Sequence, residues 1–150
     1  MSPKRTTPTG APQPSWAGPS LPDVATVFLV DEDDAVRDAI ALSLRAVGHK
    51  VATFGSGRQF LDGYRRGDPG CLVADMDLSD LGAMELLRML AASQVTLPAV
   101  ITIRHLKRRA PMGGLPPGPV LFLDKPFGVD ELLRLVRIAL AGGSGIEPES

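Results

Sequence analysis

Three groups of ionisable residues, each placed directly after an apolar run, could together carry out chemistry. Asp31 and Glu32 follow the first such run and Asp75 follows the third, while Lys125 lies just after the fifth. Carboxylates held close together repel one another unless a cation is present, which favours an Mg²⁺ ion that retains several waters. A carboxylate beside Mg²⁺ and an ammonium group can attack a phosphoryl donor, because both cations neutralise charge on the transferring oxygens. We therefore identify Asp75 as the candidate nucleophile and Lys125 as the second cation.

Apolar runs of strand length alternate with helical patterns along the chain. The runs cover residues 24–30, 51–54, 71–74, 99–103 and 120–123. The helical patterns, with apolar residues three and four apart, cover residues 35–47, 60–64, 83–93 and 129–141. Repeated βα units of this kind predict an α/β fold with a doubly wound, five-stranded parallel sheet. Right-handed crossovers place the carboxyl ends of its strands on one edge, where Asp31, Asp75 and Lys125 are expected to converge.

Composition and charge exclude several classes of protein. The 150 residues carry 16 Lys and Arg against 17 Asp and Glu, and a net charge of -1 lacks the basic footprint of a general nucleic-acid binder. The single Cys71 cannot form an internal disulfide, and neither a secretory signal nor a membrane-length apolar run is present, so we expect a cytoplasmic protein. Six of the 14 prolines lie in residues 1–22, which predicts a disordered arm, followed by a folded domain over 23–141 and a flexible tail over 142–150.

The residues at the predicted sheet edge resemble those of the receiver domain of two-component response regulators. The resemblance covers about residues 24–140 and is carried by Val30-Asp31-Glu32, by Cys71-Leu72-Val73-Ala74-Asp75 and by Asp124-Lys125-Pro126-Phe127. One such group alone is common, but the order and spacing of all three fit the family without a gap. The resemblance implies the flavodoxin- and CheY-like strand order 2-1-3-4-5.

The resemblance also implies a role for each matching residue. Asp75 resembles the phosphoacceptor, and Lys125 resembles the lysine that contacts the phosphate. The bond between Lys125 and Pro126 matches a cis peptide of the family. In the family Mg²⁺ is positioned by residues that here correspond to Asp31, Glu32, Asp75 and the backbone carbonyl of Asp77.

Strand four departs from the family pattern. Receivers end this strand with a Ser or Thr that moves onto the phosphoryl group and then a small residue, and ungapped spacing from Asp75 places Ile103 and Arg104 there. Ile103 has no hydroxyl, whereas Arg104 could either block the donor or pair with the phosphate through its guanidinium group. Thr102 offers an alternative hydroxyl. For Thr102 to occupy the switch position, strand four would have to shift its register by one residue, which would turn every buried side chain to the other face of the sheet. Phe122 matches the aromatic residue of strand five whose rotation accompanies switching.

A second departure lies between strands four and five, where the family has a helix. Residues 110–119 read APMGGLPPGP, and this density of Pro and Gly is incompatible with a short helix. We therefore predict that the fourth helix of the family is lost or irregular. Because that helix borders the usual output and dimer face of receivers, this face is expected to be rebuilt.

The leading functional interpretation is phosphorelay signalling rather than enzyme action on a separate substrate. Asp75 would accept a phosphoryl group from a histidine kinase or phosphotransfer protein, with Mg²⁺-dependent phosphorylation and dephosphorylation of itself. Output would be a protein-protein contact, with a homodimer left open and no direct DNA binding expected, since no DNA-binding domain follows. One alternative is a pseudo-receiver, a binding module that acts without phosphorylation, which Ile103 and Arg104 favour. Another is a hydrolase of the haloacid-dehalogenase kind, for which the chain leaves no room for a cap domain.

Overall fold

The computed structural model describes residues 25–104 and 118–141. Five strands and four helices occur in these two ranges. In chain order they are β1 (Thr26–Val30), α1 (Asp34–Ala46), β2 (Lys50–Phe54), α2 (Gly57–Gly63), β3 (Gly70–Asp75), α3 (Ala83–Ala92), β4 (Ala99–Ile103), β5 (Val120–Asp124) and α4 (Val129–Leu140).

The strands form one parallel sheet in the order β2-β1-β3-β4-β5. All five residues of β1 are buried, because β1 is an inner strand and helices cover both faces of the sheet. From β1 the chain adds β2 on one side of the sheet and then crosses over to add β3, β4 and β5 on the other side. The switch in strand order therefore lies between β1 and β3. The predicted doubly wound fold and the strand order 2-1-3-4-5 are confirmed.

Side chains that alternate along the strands form two cores, one on each face of the sheet. On one face α2 and α3 bury Phe60, Leu86 and Leu90 against strand residues such as Leu72 and Ile101. On the other face α1 and α4 cover a core that includes Leu29, Leu44, Cys71, Val100 and Leu132. Cys71 is fully buried, and burial raises the pKa of its thiol to about 12. The thiol therefore stays protonated and takes no part in chemistry at neutral pH.

Local signals in the sequence set the ends of α1. Asp33 is the N-cap, and its carboxylate accepts a hydrogen bond from the backbone N–H of Val36 at 3.1 Å. Asp34 lies in the first turn of the helix. The helix stops before Gly48, whose φ of 97° is a left-handed conformation that glycine adopts without strain.

Most boundaries differ from the prediction by one or two residues, and α2 begins at Gly57, three residues before the predicted start. β1 begins at Thr26, α2 ends at Gly63 because Tyr64 has already turned to an extended backbone, and β5 continues to Asp124. The predicted arm over 1–22, the predicted tail over 142–150 and residues 110–117 of the predicted irregular segment 110–119 lie outside the described residues. Within the two described ranges, no helix has both the length and the apolar character that crossing a membrane requires.

Candidate functional site at the carboxyl edge of the sheet

The sheet topology brings the predicted site residues to one edge. β1 and β3 are neighbours in register, with Val30 opposite Ala74, so the next residues, Asp31 and Asp75, leave the sheet side by side. β4 follows β3, and Asp75 pairs with Thr102. β5 completes this side of the sheet, and Lys125 follows directly after its last residue.

Lys125 and Asp75 form an ion pair across 50 residues of sequence. The Nζ of Lys125 donates to Oδ2 of Asp75 at 2.6 Å, and both side chains are about three-quarters shielded from solvent, with exposed fractions of 25% and 20%. The backbone N–H of Lys125 also donates to the carbonyl of Ile103 at 2.9 Å, which fixes the start of the loop after β5. The peptide bond between Lys125 and Pro126 is cis.

The second carboxylate oxygen of Asp75 is held by its own loop. The backbone N–H of Asp77 donates to Oδ1 of Asp75 at 3.1 Å. The backbone N–H of Met76 donates to the carbonyl of Thr102 at 2.9 Å, so the chain just after Asp75 stays tied to β4. With Lys125 on one oxygen and Asp77 on the other, the orientation of the carboxylate plane is fixed before any ligand binds.

Asp31 is held by its own loop and by α1. Its Oδ1 accepts a hydrogen bond from the backbone N–H of Asp33 at 2.9 Å, and its carbonyl accepts one from Nη1 of Arg37 at 2.7 Å. Burial raises the pKa of the Asp31 carboxyl above its ordinary value of 3.8, and the neighbouring charge of Asp75 adds to this, while Lys125 and the hydrogen bond from Asp33 oppose it. The ionised form of Asp31 is therefore disfavoured beside ionised Asp75. A bound cation would reduce this unfavourable interaction.

Glu32 contacts the loop after β3. Its Oε2 accepts a hydrogen bond from the backbone N–H of Ser79 at 2.7 Å and a second one from the Ser79 hydroxyl. A contact between residues 47 positions apart leaves no local signal in the sequence. The same loop is anchored by Asp80, whose two carboxylate oxygens accept the N–H groups of Gly57 and Arg58 at the start of α2.

The donor set fits a magnesium ion held by two carboxylates. Across the described ranges, no group of three or more His, Cys, Asp or Glu side chains is gathered in a geometry that could hold a metal. Mg²⁺ does not need such a group, since it commonly binds one or two protein carboxylates and keeps several waters. Asp31 and Asp75 provide those carboxylates. Their negative charges repel each other, and a bound Mg²⁺ would neutralise this repulsion.

The predicted switch positions occupy both faces of the sheet. Thr102 and Ile103 are both buried, with exposed fractions of 4% and 1%. Because Thr102 is in register with Asp75, alternation along the strands places the two side chains on the same face and Ile103 on the other. Phe122 is partly buried against the core beneath α2 and α3, and Arg104 is exposed just past the end of β4.

A cavity of about 640 Å³ opens beside the ion pair. It is lined by Val36, Arg104, Lys125, Pro126 and Phe127. Two of these side chains are cationic and the others are apolar, so the cavity suits an anionic group carried on an apolar or aromatic body. A second cavity, of about 420 Å³, lies at the opposite end of the sheet between Tyr64 and Pro98, far from these charged residues.

The strand order 2-1-3-4-5, with charged residues and a cavity at its carboxyl edge, defines the flavodoxin-like class of doubly wound domains. Comparison with known proteins gives the family. The sequence matches the response regulator receiver domain over residues 27–137, more than half of the chain. The chain therefore belongs to the response regulator receiver domain family, and the resemblance drawn from the sequence is confirmed.

Among similar proteins, the transcriptional regulatory protein FixJ of Bradyrhizobium diazoefficiens is 31% identical over 76% of this chain and 56% of its own length. The response regulator protein TodT of Pseudomonas putida is 28% identical over 77% of this chain and 51% of its own. The chain thus spans about half the length of these relatives.

Solved structures agree with the sequence comparison. The response regulator StyR superposes with a TM-score of 0.68 at 32% identity, covering 78% of this chain and 59% of that one. The FixJ-N structure superposes with a TM-score of 0.63 at 26% identity, covering 78% of this chain and 94% of that one.

Proposed function

We propose that this receiver domain accepts a phosphoryl group on Asp75 from a histidine kinase or a phosphotransfer protein. The observation that carries the proposal is the 2.6 Å contact between Lys125 Nζ and Asp75 Oδ2, with the half-buried carboxylate of Asp31 just after the adjacent strand. This arrangement gives a nucleophile, a fixed cation and a carboxylate pair that attracts a metal ion. The folded unit over 23–141 is proposed to act in the cytoplasm.

The chemistry is a transfer between two nucleophiles. A carboxylate oxygen of Asp75 forms a bond to phosphorus while the bond from phosphorus to the donor nitrogen breaks, and the electron pair of that bond leaves on the imidazole. Mg²⁺, when held by Asp31, Asp75 and the carbonyl of Asp77, would neutralise charge on the phosphoryl oxygens. Lys125 already contacts the carboxylate and is placed to move its ammonium group onto a phosphoryl oxygen.

Arg104 and Thr102 are proposed to replace the usual switch pair. Arg104 lines the same cavity as Lys125, so its guanidinium group can pair with a phosphoryl group on Asp75. Thr102 carries the buried hydroxyl that shares the sheet face of Asp75. Phe122 is proposed to move with the strand end, and the resulting surface change would be passed on by a protein-protein contact.

Intact-mass spectrometry after incubation with a small-molecule phosphodonor and Mg²⁺ tests the proposal. We expect one phosphoryl adduct on the wild-type protein, no adduct on Asp75→Ala, and no adduct when the metal is chelated. Asp62→Asn, an exposed carboxylate substitution on α2, is the matched control and should be labelled like the wild type.

A second function, a pseudo-receiver that binds a partner without phosphorylation, is favoured by a specific observation. The buried position at the end of β4 is Ile103, which offers no hydroxyl, and the exposed Arg104 lines the mouth of the cavity. If several donors, including a phosphorylated histidine protein, leave the wild-type mass unchanged while Mg²⁺ still binds, this second function replaces the first.

A further inference from the structure

The contact between Glu32 and Ser79 joins the two loops that border the site. Glu32 lies in the loop between β1 and α1, and Ser79 lies in the loop between β3 and α3. Both the backbone N–H and the hydroxyl of Ser79 donate to one carboxylate oxygen of Glu32, with the N–H at 2.7 Å. Hydrogen bonds to an ionised acceptor are roughly twice as strong as neutral ones, so this pair of bonds fixes where the Glu32 carboxylate points.

The loop that carries Ser79 is itself fixed on its other side. Asp80 accepts the N–H groups of Gly57 at 3.0 Å and of Arg58 at 2.8 Å, the first two residues of α2. A Cβ placed on Gly57 would lie 2.9 Å from the carbonyl oxygen of Leu81, which shows how closely the loop packs on the helix. Ser79 therefore cannot follow Glu32 if that carboxylate turns toward Asp31 and Asp75.

We propose that Ser79 is a positioning residue that withholds Glu32 from the metal, so that Mg²⁺ binding competes with the Glu32–Ser79 contact. This inference rests on the proposed function, because it takes Mg²⁺ to be the ion that Asp31 and Asp75 bind. Asp31 and Asp75 lie side by side at the sheet edge, whereas Glu32 is bonded to Ser79. Recruitment of Glu32, directly or through a bound water, costs both hydrogen bonds to Ser79.

Two substitutions of Ser79 separate the two hydrogen bonds. Ser79→Ala removes the hydroxyl donor and keeps the N–H donor, while Ser79→Pro removes both, because proline has no N–H group. Isothermal titration of the full chain with MgCl₂ should show an affinity roughly three- to tenfold higher for Ser79→Ala and higher again for Ser79→Pro. Ser43→Ala removes a serine hydroxyl that bonds the Ala39 carbonyl within α1, and it should leave the Mg²⁺ affinity unchanged.

A double-mutant cycle with Glu32→Gln establishes whether Ser79 acts through Glu32. In the Glu32→Gln background, the gain in Mg²⁺ affinity from Ser79→Ala should shrink to near zero. In the wild type, Mg²⁺ should also shift the Ser79 amide resonance, as its hydrogen bond to Glu32 is lost.

Several results would overturn the proposal. The first is an unchanged or weaker Mg²⁺ affinity in Ser79→Ala. The second is an increase in Mg²⁺ affinity from Ser79→Ala that persists in the Glu32→Gln background. The third is the lack of Mg²⁺ binding by every variant. Ser79→Ala keeps the test decisive if Ser79→Pro does not fold. The mass measurement on Asp75 is independent: a phosphoryl adduct with no Ser79 effect rejects the role of Ser79 alone, whereas a Ser79 effect with no adduct rejects phosphorylation alone.

Discussion

Arg104 and Lys125 are the two cationic residues that line the cavity next to the site, and they differ in the contacts they already make. Lys125 is bonded to Asp75, whereas Arg104 is exposed at the mouth of the cavity that both residues line. A phosphoryl group on Asp75 would carry about two negative charges in place of the single charge of the carboxylate. The function of the site therefore depends on whether the Arg104 guanidinium binds the phosphoryl group or blocks the approach of the phosphodonor.

We expect Arg104→Gln to shorten the lifetime of the phosphoryl group on Asp75 by roughly fivefold, because an exposed charge-assisted contact is worth about 1 kcal/mol. The decay of the mass adduct after removal of the donor measures this. Arg134→Gln, an exposed substitution on α4, is the control and should decay like the wild type. An unchanged lifetime together with faster adduct formation would show that Arg104 obstructs the donor instead.

At the scale of elements, the start of β3 sets how closely the two central strands approach. Gly70 has a φ of 150°, and a Cβ built on it would lie 1.8 Å from the carbonyl oxygen of Thr26 on β1. The conformation and the close approach both require glycine. Because β1 and β3 carry Asp31 and Asp75, the spacing of these strands is also the spacing of the acidic pair.

We predict that Gly70→Ala lowers the free energy of unfolding by about 2–5 kcal/mol, from backbone strain and forced separation of the strands. Gly67→Ala is a matched control, since Gly67 also has a positive φ of 93° but a Cβ there meets no atom within 4 Å. Its cost should be about 1 kcal/mol. Urea unfolding of the three proteins gives both values, and equal losses would contradict the steric argument.

For the whole molecule, the acidic edge makes stability depend on pH and on metal. The folded-state pKa of Asp31 lies above the unfolded value of 3.8, chiefly because of burial. The folded state therefore binds a proton more readily than the unfolded state, and stability decreases as the pH rises from the unfolded pKa through the folded one. Ionised Asp31 is thus a cost at neutral pH, which a bound cation would offset.

Asp31→Asn should therefore raise the Tm by a few degrees at pH 7 in the presence of a chelator, while it weakens Mg²⁺ binding. The substitution retains the side-chain oxygen that accepts the Asp33 N–H bond. The Tm difference from the wild type should shrink as the pH approaches 4, and calorimetry between pH 4 and 8 measures it. Asp62→Asn serves as the exposed control, and a difference that is independent of pH would be evidence against a burial effect at Asp31.

Sequence alone determined the fold class, the strand order implied by the family, and the edge at which Asp31, Asp75 and Lys125 meet. These features follow from apolar periodicity and from the rule that parallel strands end on a common edge, both of which are local or topological. The N-cap of α1, Asp33, can be predicted for the same reason, because a capping side chain bonds to the first turn of the helix that follows it.

Only the tertiary structure decided the finer arrangement of the site. The sequence assigned Glu32 to the metal by resemblance, but its carboxylate is bonded to Ser79, and Asp80 is bonded to the start of α2. In these contacts exposed carboxylates of loops accept hydrogen bonds from backbone N–H groups 22 to 47 residues away. Such side chains have many staggered rotamers and no periodic pattern, so loop packing rather than local sequence selects their partners.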